Sequence, residues 1–206
     1  MIEQGTAEWF AERCGKVTAS RIADMMAKTK TGYGAGRKNY LAQLTVERIT
    51  GTVEDSFTSP AMRWGTETEP MAREAYQEAT LTPVTEVGFI PHPNWPDDAG
   101  ASPDGLVGDD GLVEIKCPNT ATHIETLKTG VIADKYVKQM QWQMACTQRH
   151  WCDFVSFDPR MPEGLNIWIK RVERDKDAIV EIEQELEAFL ADLQADVEAL
   201  EAMKDA

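Results

Sequence analysis

Ser102-Pro103-Asp104-Gly105, followed after eight residues by Glu114-Ile115-Lys116, is the stretch on which the reading of this chain turns. Pro-Asp-Gly is turn chemistry. Leu112 to Lys116 alternates apolar and charged residues, the pattern of a half-buried strand. Asp104 and Glu114 are therefore expected on neighbouring strands of one hairpin. Glu114 and Lys116 stand two apart and share a face, while Ile115 points into the core. A carboxylate from each strand can hold hard divalent cations such as Mg²⁺, which prefer oxygen ligands and waters completed by substrate phosphate. A pair of such ions about 3.5–4 Å apart can activate water and stabilise the leaving oxygen of a phosphodiester. A lysine on the same face can position that water or offset charge in the transition state. Taken singly, each feature is ordinary: an Asp in such a turn is usually a turn residue, and a Glu and a Lys on one strand face are usually solvated. The spacing of all three is what carries the reading.

Working outward, Thr6 to Phe10 reads as a short helical entry, and Thr18 and Ser20 are N-cap candidates for a helix through Ile22, Met25 and Met26. Residues 28–38, with three glycines among basic side chains, read as a mobile loop. Residues 39–51 read as a helix stopped by Gly51. A polar loop follows over 52–60, then a long helix from Ala61 to Ala79 that Pro70 would kink or restart. Val84 to Ile90 suggests a strand. Helices are expected over 121–130 and 133–147, strands over 151–157 and Leu165–Val172, and one long acidic helix over 175–203. Helices, then strands, then helices between strands give an α/β domain with a central mixed β-sheet. The expected organisation is a single unit over 1–206: a helical part to residue 80, a sheet core over 81–172 and an acidic C-terminal helix over 173–206.

With 206 residues, 42% hydrophobic and 27% charged, the chain can bury a core without disulfides or metal staples. No run approaches the roughly 18 apolar residues of a membrane span. The first ten residues lack the pattern of a signal peptide, so a cytoplasmic protein is expected. Cys14, Cys117, Cys146 and Cys152 have no zinc-ligand spacing and read as free thiols. The net charge of −14 argues against a nucleic-acid binder when taken whole. It hides an asymmetry. Arg13 to Arg63 holds nine basic and four acidic side chains, whereas Glu173 onward holds twelve acidic and three basic. The chain has a basic front and an acidic tail.

The D…E-x-K spacing is the signature of PD-(D/E)XK nucleases, a short pattern with many chance matches. Here it is joined by further motifs. Trp9 to Ser20 resembles the opening of the phage lambda exonuclease and YqaJ-type viral recombinase family within those nucleases, W-x3-R-x-G-x-[IV]-T-A-S. Trp64-Gly65-Thr66-Glu67-Thr68-Glu69 is similar to its W-G-x3-E. Tyr136 to Gln141, and then Phe157-Asp158-Pro159-Arg160-Met161, complete the set. The resemblance spans Trp9 to about residue 175.

It implies a restriction-endonuclease-like core in which Asp104, Glu114 and the carbonyl of Ile115 ligate the metal ions and Glu69 is the third carboxylate. Lys116 would sit beside the attacking water, with Tyr136 and Gln139 lining the site from one helix face. Arg13, Ser20 and Ser102 would bind a 5′-phosphate, a task suited to an Arg fork and hydroxyls. Met62 would lie near the point of strand separation, although plain helix packing explains it as well. The family's basic residue near this phosphate falls at Thr122 here, leaving His123 or a lysine as a substitute. Glu67 reads as solvent-facing, His92 and His150 as structural, and Trp142, Trp151 and Trp168 as packing.

The implied activity is a Mg²⁺-dependent 5′→3′ exonuclease (Mn²⁺ a possible substitute) acting on double-stranded DNA ends. It would release mononucleotides and leave 3′ overhangs. The implied assembly is a homotrimeric ring with a single-strand annealing protein as partner, in a phage or prophage setting. The basic residues of 28–38 and Arg63 would then contact the DNA backbone, and the acidic tail would lie away from it. The long C-terminal helix could serve trimer or partner contacts, or pack on its own domain. Two alternatives stay open: another PD-(D/E)XK enzyme cutting within DNA, and a non-catalytic end-binding recombination scaffold.

Overall fold

The structure is a computed structural model that describes residues 2–53 and 59–204. The centre of the loop expected over 52–60 lies outside the described residues.

The sheet that carries the expected hairpin has five strands. Numbered in chain order they are β4 (Val84–Thr85), β7 (Gly105–Val107), β8 (Gly111–Lys116), β9 (Trp151–Phe157) and β10 (Ile167–Glu173), in spatial order β10-β9-β8-β7-β4. Only β8 and β9 run parallel; the other neighbours are antiparallel. A parallel step needs a crossover, and two helices supply it: α5 (Thr120–Thr129) and α6 (Asp134–Thr147). A second sheet joins β1 (Val17–Thr18), β6 (Ala99–Ala101) and β5 (Ile90–Pro91). The single strand expected over Val84 to Ile90 is thus two short strands in different sheets.

β8 is buried on both faces rather than half-buried as its alternation suggested. Crossover helices cover one face of such a strand and something else must cover the other. Val113 and Ile115 enter a cluster with Ala72 and Tyr76 of α4 (Pro60–Thr80), while Leu112 faces Met140 and Met144 of α6. α4 runs unbroken through Pro70, and Ser59 caps it by accepting from the Met62 N–H. The proline leaves the Thr66 carbonyl without its helical partner but does not restart the helix.

The front of the chain forms α1 (Ala7–Arg13), a 3₁₀ turn over Ala19–Arg21, α2 (Ile22–Met25) and α3 (Ala35–Thr50). Thr6 caps α1, whereas Thr18 precedes the 3₁₀ turn without a capping side-chain bond. Gly51 ends α3 in the left-handed region at φ 66°, as expected. Residues 28–38 are not a loop. Lys28–Thr29 (β2) and Gly32–Tyr33 (β3) pair as a hairpin, and α3 begins at Ala35.

The acidic tail is α7 (Lys176–Lys204), whose Ile179, Ile182, Leu186, Phe189 and Leu193 are buried against α2, α3 and α6. Its acidic side does not stand apart from the basic front. Glu185 accepts from Lys28 at 2.5 Å and from Tyr33 at 3.1 Å, and Asp192 pairs with Arg37 at 2.9 Å. Arg37 is buried between the rings of Tyr33 and Phe189. Two of the side chains expected to contact DNA are therefore spent on the C-terminal helix. No described helix is long and apolar enough to cross a membrane.

Candidate active site

Asp104 immediately precedes β7, and Gly105 explains how it comes so close to the sheet. A Cβ at Gly105 would lie 2.1 Å from Val84 Cγ1, so only glycine lets β4 and β7 approach there. The β7–β8 ladder stops at Gly105 opposite Val113, which leaves Ile115 without a strand partner on that edge. Asp104 Oδ2 takes that place, accepting from the Ile115 N–H at 2.6 Å. A residue's N–H and C=O leave a strand on the same edge. The Ile115 carbonyl therefore emerges on the side where Asp104 stands.

Glu114 is fully buried, and both its oxygens are engaged. Gln139 Nε2 donates to Oε1 at 2.7 Å, and Lys116 Nζ pairs with that same oxygen. Gln143 Nε2 donates to Oε2 at 2.6 Å. Tyr136, Gln139 and Gln143 recur at three and four residues and so form one stripe of α6. The Lys116 ammonium lies 5.3 Å from the centre of the Tyr136 ring. Gln143 was absent from the residues expected here. Its one sequence signal is the i, i+4 spacing to Gln139, which sets both amides over the same strand residue.

Glu69 projects from α4 beside Arg73, another residue that sequence reading missed; Arg73 Nη2 donates to Glu69 Oε1 at 2.6 Å. Burial raises the Glu69 carboxyl above its usual range, against the pull of Arg73 and Lys116, and Glu114 adds to the rise. Burial, then the charge of Glu114, pushes Asp104 well above the usual carboxylate range. Burial would lower Lys116, but Glu114 and Asp104 outweigh it and hold the ammonium protonated. Three carboxylates thus feel one another across the site, balanced by Lys116 and by Arg73.

Of the residues expected to grip a DNA end, Arg13 ends α1, Ser20 lies in the 3₁₀ turn, Met62 is on α4 and Ser102 is in the turn before Asp104. Arg13 stacks its guanidinium 3.7 Å over Trp9, and Trp9 Nε1 donates to Ser102 Oγ at 3.0 Å. That bond ties α1 to the turn beside Asp104. The segment after Arg13 is pinned by α3: Glu47 accepts from the Gly15 N–H at 2.8 Å, and Tyr40 Oη accepts from the Thr18 N–H at 3.1 Å. Burial lowers Arg13 to about 10. A cleft of about 1000 Å³ is lined by Arg13, Ser20, Met62, Glu69, Arg73 and Asp104 among others. Met62 is exposed there rather than packed. Ser102 reaches this group through Trp9.

One assignment differs, and others agree. His123 is not available to a phosphate: it is fully buried, with Nδ1 2.8 Å from Ser156 Oγ and Nε2 2.8 Å from the Leu165 carbonyl. His92 is buried against Trp142 at 4.6 Å, as a structural histidine, and His150 is an exposed partner of Asp110. Glu67 faces solvent. Trp142 is core, and Trp151 carries Arg171 on its face at 3.4 Å. Arg160 bridges motifs, pairing with Asp158 and stacking 4.5 Å from Trp64.

Among the described residues no three carboxylate, thiol or imidazole groups already converge as a metal cage. The donor set still fits a hard divalent cation. It is all oxygen, its carboxylates raise one another's proton affinity, and the Ile115 carbonyl faces the same edge. Lys116 and Gln139 both hold Glu114 Oε1.

A mixed sheet with one parallel step, an aspartate at the end of one strand and a glutamate–lysine pair on the next define a restriction-endonuclease-like nuclease core. The chain belongs to the YqaJ-like viral recombinase domain family, whose model matches residues 8–150. The alkaline exonuclease LHK-Exo from Laribacter hongkongensis is 56% identical, with 98% of this chain and 100% of that chain covered at a TM-score of 0.90. The same enzyme in complex with dAMP matches at 57% identity over the same shares, again at 0.90. A phage-related exonuclease from Haemophilus somnus 129PT shares the fold at 15% identity, covering 90% of this chain and 96% of its own at a TM-score of 0.71. No curated protein matches. The protein is a nuclease of this family.

Proposed function

We propose that the protein is a Mg²⁺-dependent 5′→3′ exonuclease that degrades one strand of linear duplex DNA from 5′-phosphorylated ends, releasing mononucleotides and leaving 3′ overhangs. The observation that carries this reading is the shared cleft: a phosphate-suited arginine and serine open onto the same space as two of the carboxylates. An end-dependent enzyme needs both in one place. The dAMP complex of LHK-Exo agrees with a mononucleotide product.

On this reading Asp104, Glu114, Glu69 and the Ile115 carbonyl hold the ions, with Mn²⁺ able to replace Mg²⁺. Such ions polarise the phosphodiester and lower the pKa of a water at the site. Arg13 forks onto the terminal phosphate, and Ser20 donates to it. Ser102 accepts from Trp9 and so keeps its own proton for the phosphate. Lys116, released from Glu114, orients the attacking water and offsets charge on the phosphoryl oxygens. Tyr136 and Gln139 bound the site on the α6 side, and Met62 meets the terminal base pair. A ring-shaped homotrimer would confine basic surface to a channel. A single-strand annealing protein would take up the 3′ overhang, in the cytoplasm of the bacterial host.

The test is a linear duplex with one 5′-phosphorylated and one 5′-hydroxyl end, each strand labelled distinctly, assayed with Mg²⁺ and with chelator. Mononucleotides from the phosphorylated strand alone, and none with chelator, are expected. Cuts within the duplex, or equal release from both ends, would refute the proposal.

A further inference from the structure

Glu114 is held asymmetrically, and the asymmetry separates its two oxygens by accessibility. Oε1 is held by Lys116 and Gln139, both only partly buried and both side chains that can swing away. Oε2 is held by Gln143 alone, which is fully buried one helical turn deeper on α6. Its α6 neighbours Met140 and Met144 are fully buried in the core as well. Its own Oε1 is buried without a partner, which leaves the Glu114 carboxylate as the only group that this side chain satisfies among the described residues. A buried amide with one acceptor unmet is not the cheapest filling for a core position. What the position gains is a fixed carboxylate.

We propose that Gln143 is a positioning residue that locks Glu114 Oε2 into the protein interior and so makes Glu114 a one-oxygen ligand, biasing the site towards small octahedral cations and against Ca²⁺. This inference rests on the reading of Glu114 as a metal ligand. Ca²⁺ accepts six to eight oxygens and readily takes both oxygens of one carboxylate, whereas Mg²⁺ demands near-ideal octahedral geometry with single oxygens. A carboxylate that cannot rotate serves Mg²⁺ and Mn²⁺ and handicaps Ca²⁺. Freed of its anchor, the same carboxylate could present both oxygens. The role is exerted through Glu114 and needs no contact between Gln143 and substrate.

Calorimetric binding of Mg²⁺, Mn²⁺ and Ca²⁺ to the full chain without DNA tests this. Loss of a group that orients a ligand costs roughly 10–100-fold in metal affinity. For Gln143→Met that weakening is expected for Mg²⁺ and Mn²⁺, with Ca²⁺ affected several-fold less, so that the Ca²⁺/Mg²⁺ preference rises. Gln143→Asn, which keeps an amide but is one methylene too short, gives the same comparison if the methionine variant does not fold. Gln141→Met is the control for a merely structural amide. Gln141 is also buried on α6, donating to the Glu173 carbonyl and accepting from the Asp175 N–H. It should lower stability and leave the metal preference unchanged. Unaltered constants in both Gln143 variants, alongside lost binding in Glu114→Gln, would overturn the positioning role. Full metal binding by Glu114→Gln would instead overturn the ligand reading beneath it, and the positioning role with it.

Discussion

Replacing Arg37 by methionine should destabilise the protein while leaving its grip on DNA intact. Sequence reading put this arginine in a mobile basic loop, whereas the structure leaves it 2% exposed. Its Nη1 donates to the Met25 carbonyl at 3.1 Å, an orphan at the end of α2, and its Nη2 pairs with Asp192 at 2.9 Å. Leaving that buried carbonyl unmet costs about 1–3 kcal/mol. The stacking on Tyr33 and Phe189 adds about 1 kcal/mol. The pair with Asp192 adds little, because that carboxylate is 51% exposed and returns to water. Methionine recovers part of the apolar contact, so the net loss is roughly 2–3 kcal/mol. For a chain of this size each kcal/mol moves Tm by about 2–4 °C, giving a fall of about 4–12 °C. Scanning calorimetry measures it. The salt dependence of DNA binding should keep the wild-type slope, since each lost phosphate contact would remove about 0.9 from it. A Tm within about 2 °C of wild type, or a shallower salt slope, would refute the reasoning.

Arg13→Met should cut the preference for 5′-phosphorylated over 5′-hydroxyl ends by about tenfold or more, the worth of a charged hydrogen bond, as read from initial rates on the two ends. Without divalent ions at neutral pH, Asp104→Asn should melt no lower than wild type, because burial and the charge of Glu114 raise the Asp104 carboxyl and make its ionised form costly once folded. Adding Mg²⁺ should then raise the melting temperature of wild type alone; a rise in both would remove Asp104 from the ion site. Burial would raise Asp158, but hydrogen bonds from Arg160 and Thr120 outweigh it and hold the carboxyl at about 2. Its stabilisation is complete above the ordinary aspartate value of about 3.9 and is lost as pH falls towards 2. Asp158→Asn should therefore be less stable than wild type at pH 7, with the gap closing in acid; a gap that stays constant with pH would contradict this.

What could be read from the sequence followed from local rules. The i, i+2 pairing of Glu114 with Lys116, the Gly51 stop and the long apolar stripe of α7 each depend on one element's own periodicity. What could not be read depended on partners distant in sequence. Arg37 and Lys28 read as solvated because nothing local reveals that Asp192 and Glu185 lie against them. β8 read as half-buried because alternation marks chemical difference between faces, and the polar face here meets two amides rather than water. His123 read as a candidate phosphate ligand because its buried partners, Ser156 and the Leu165 carbonyl, arrive from β9 and from the loop before β10.

The charge problem posed by the sequence has a structural answer that differs from simple separation of signs. A net −14 chain that acts on DNA must keep basic surface clear of its own acids. Pairing α7 with the hairpin and with the start of α3 takes up Lys28 and Arg37 in ion pairs. Among the described residues Lys30, Lys38 and Arg63 are exposed with no acidic partner, and Arg13 faces the cleft. The basic front therefore holds side chains that fasten the C-terminal helix, side chains such as Arg21 and Arg48 that pair with Asp24 and Asp98, and side chains left for a ligand. Charge reversal at the first and the last of these should separate cleanly. Lys38→Glu should weaken DNA binding most at low salt with little change in Tm. Lys28→Glu should lower Tm, by setting a second carboxylate against Glu185, and change binding less. Equal effects of the two on DNA affinity would mean that α7 does not stay on the hairpin when DNA is bound.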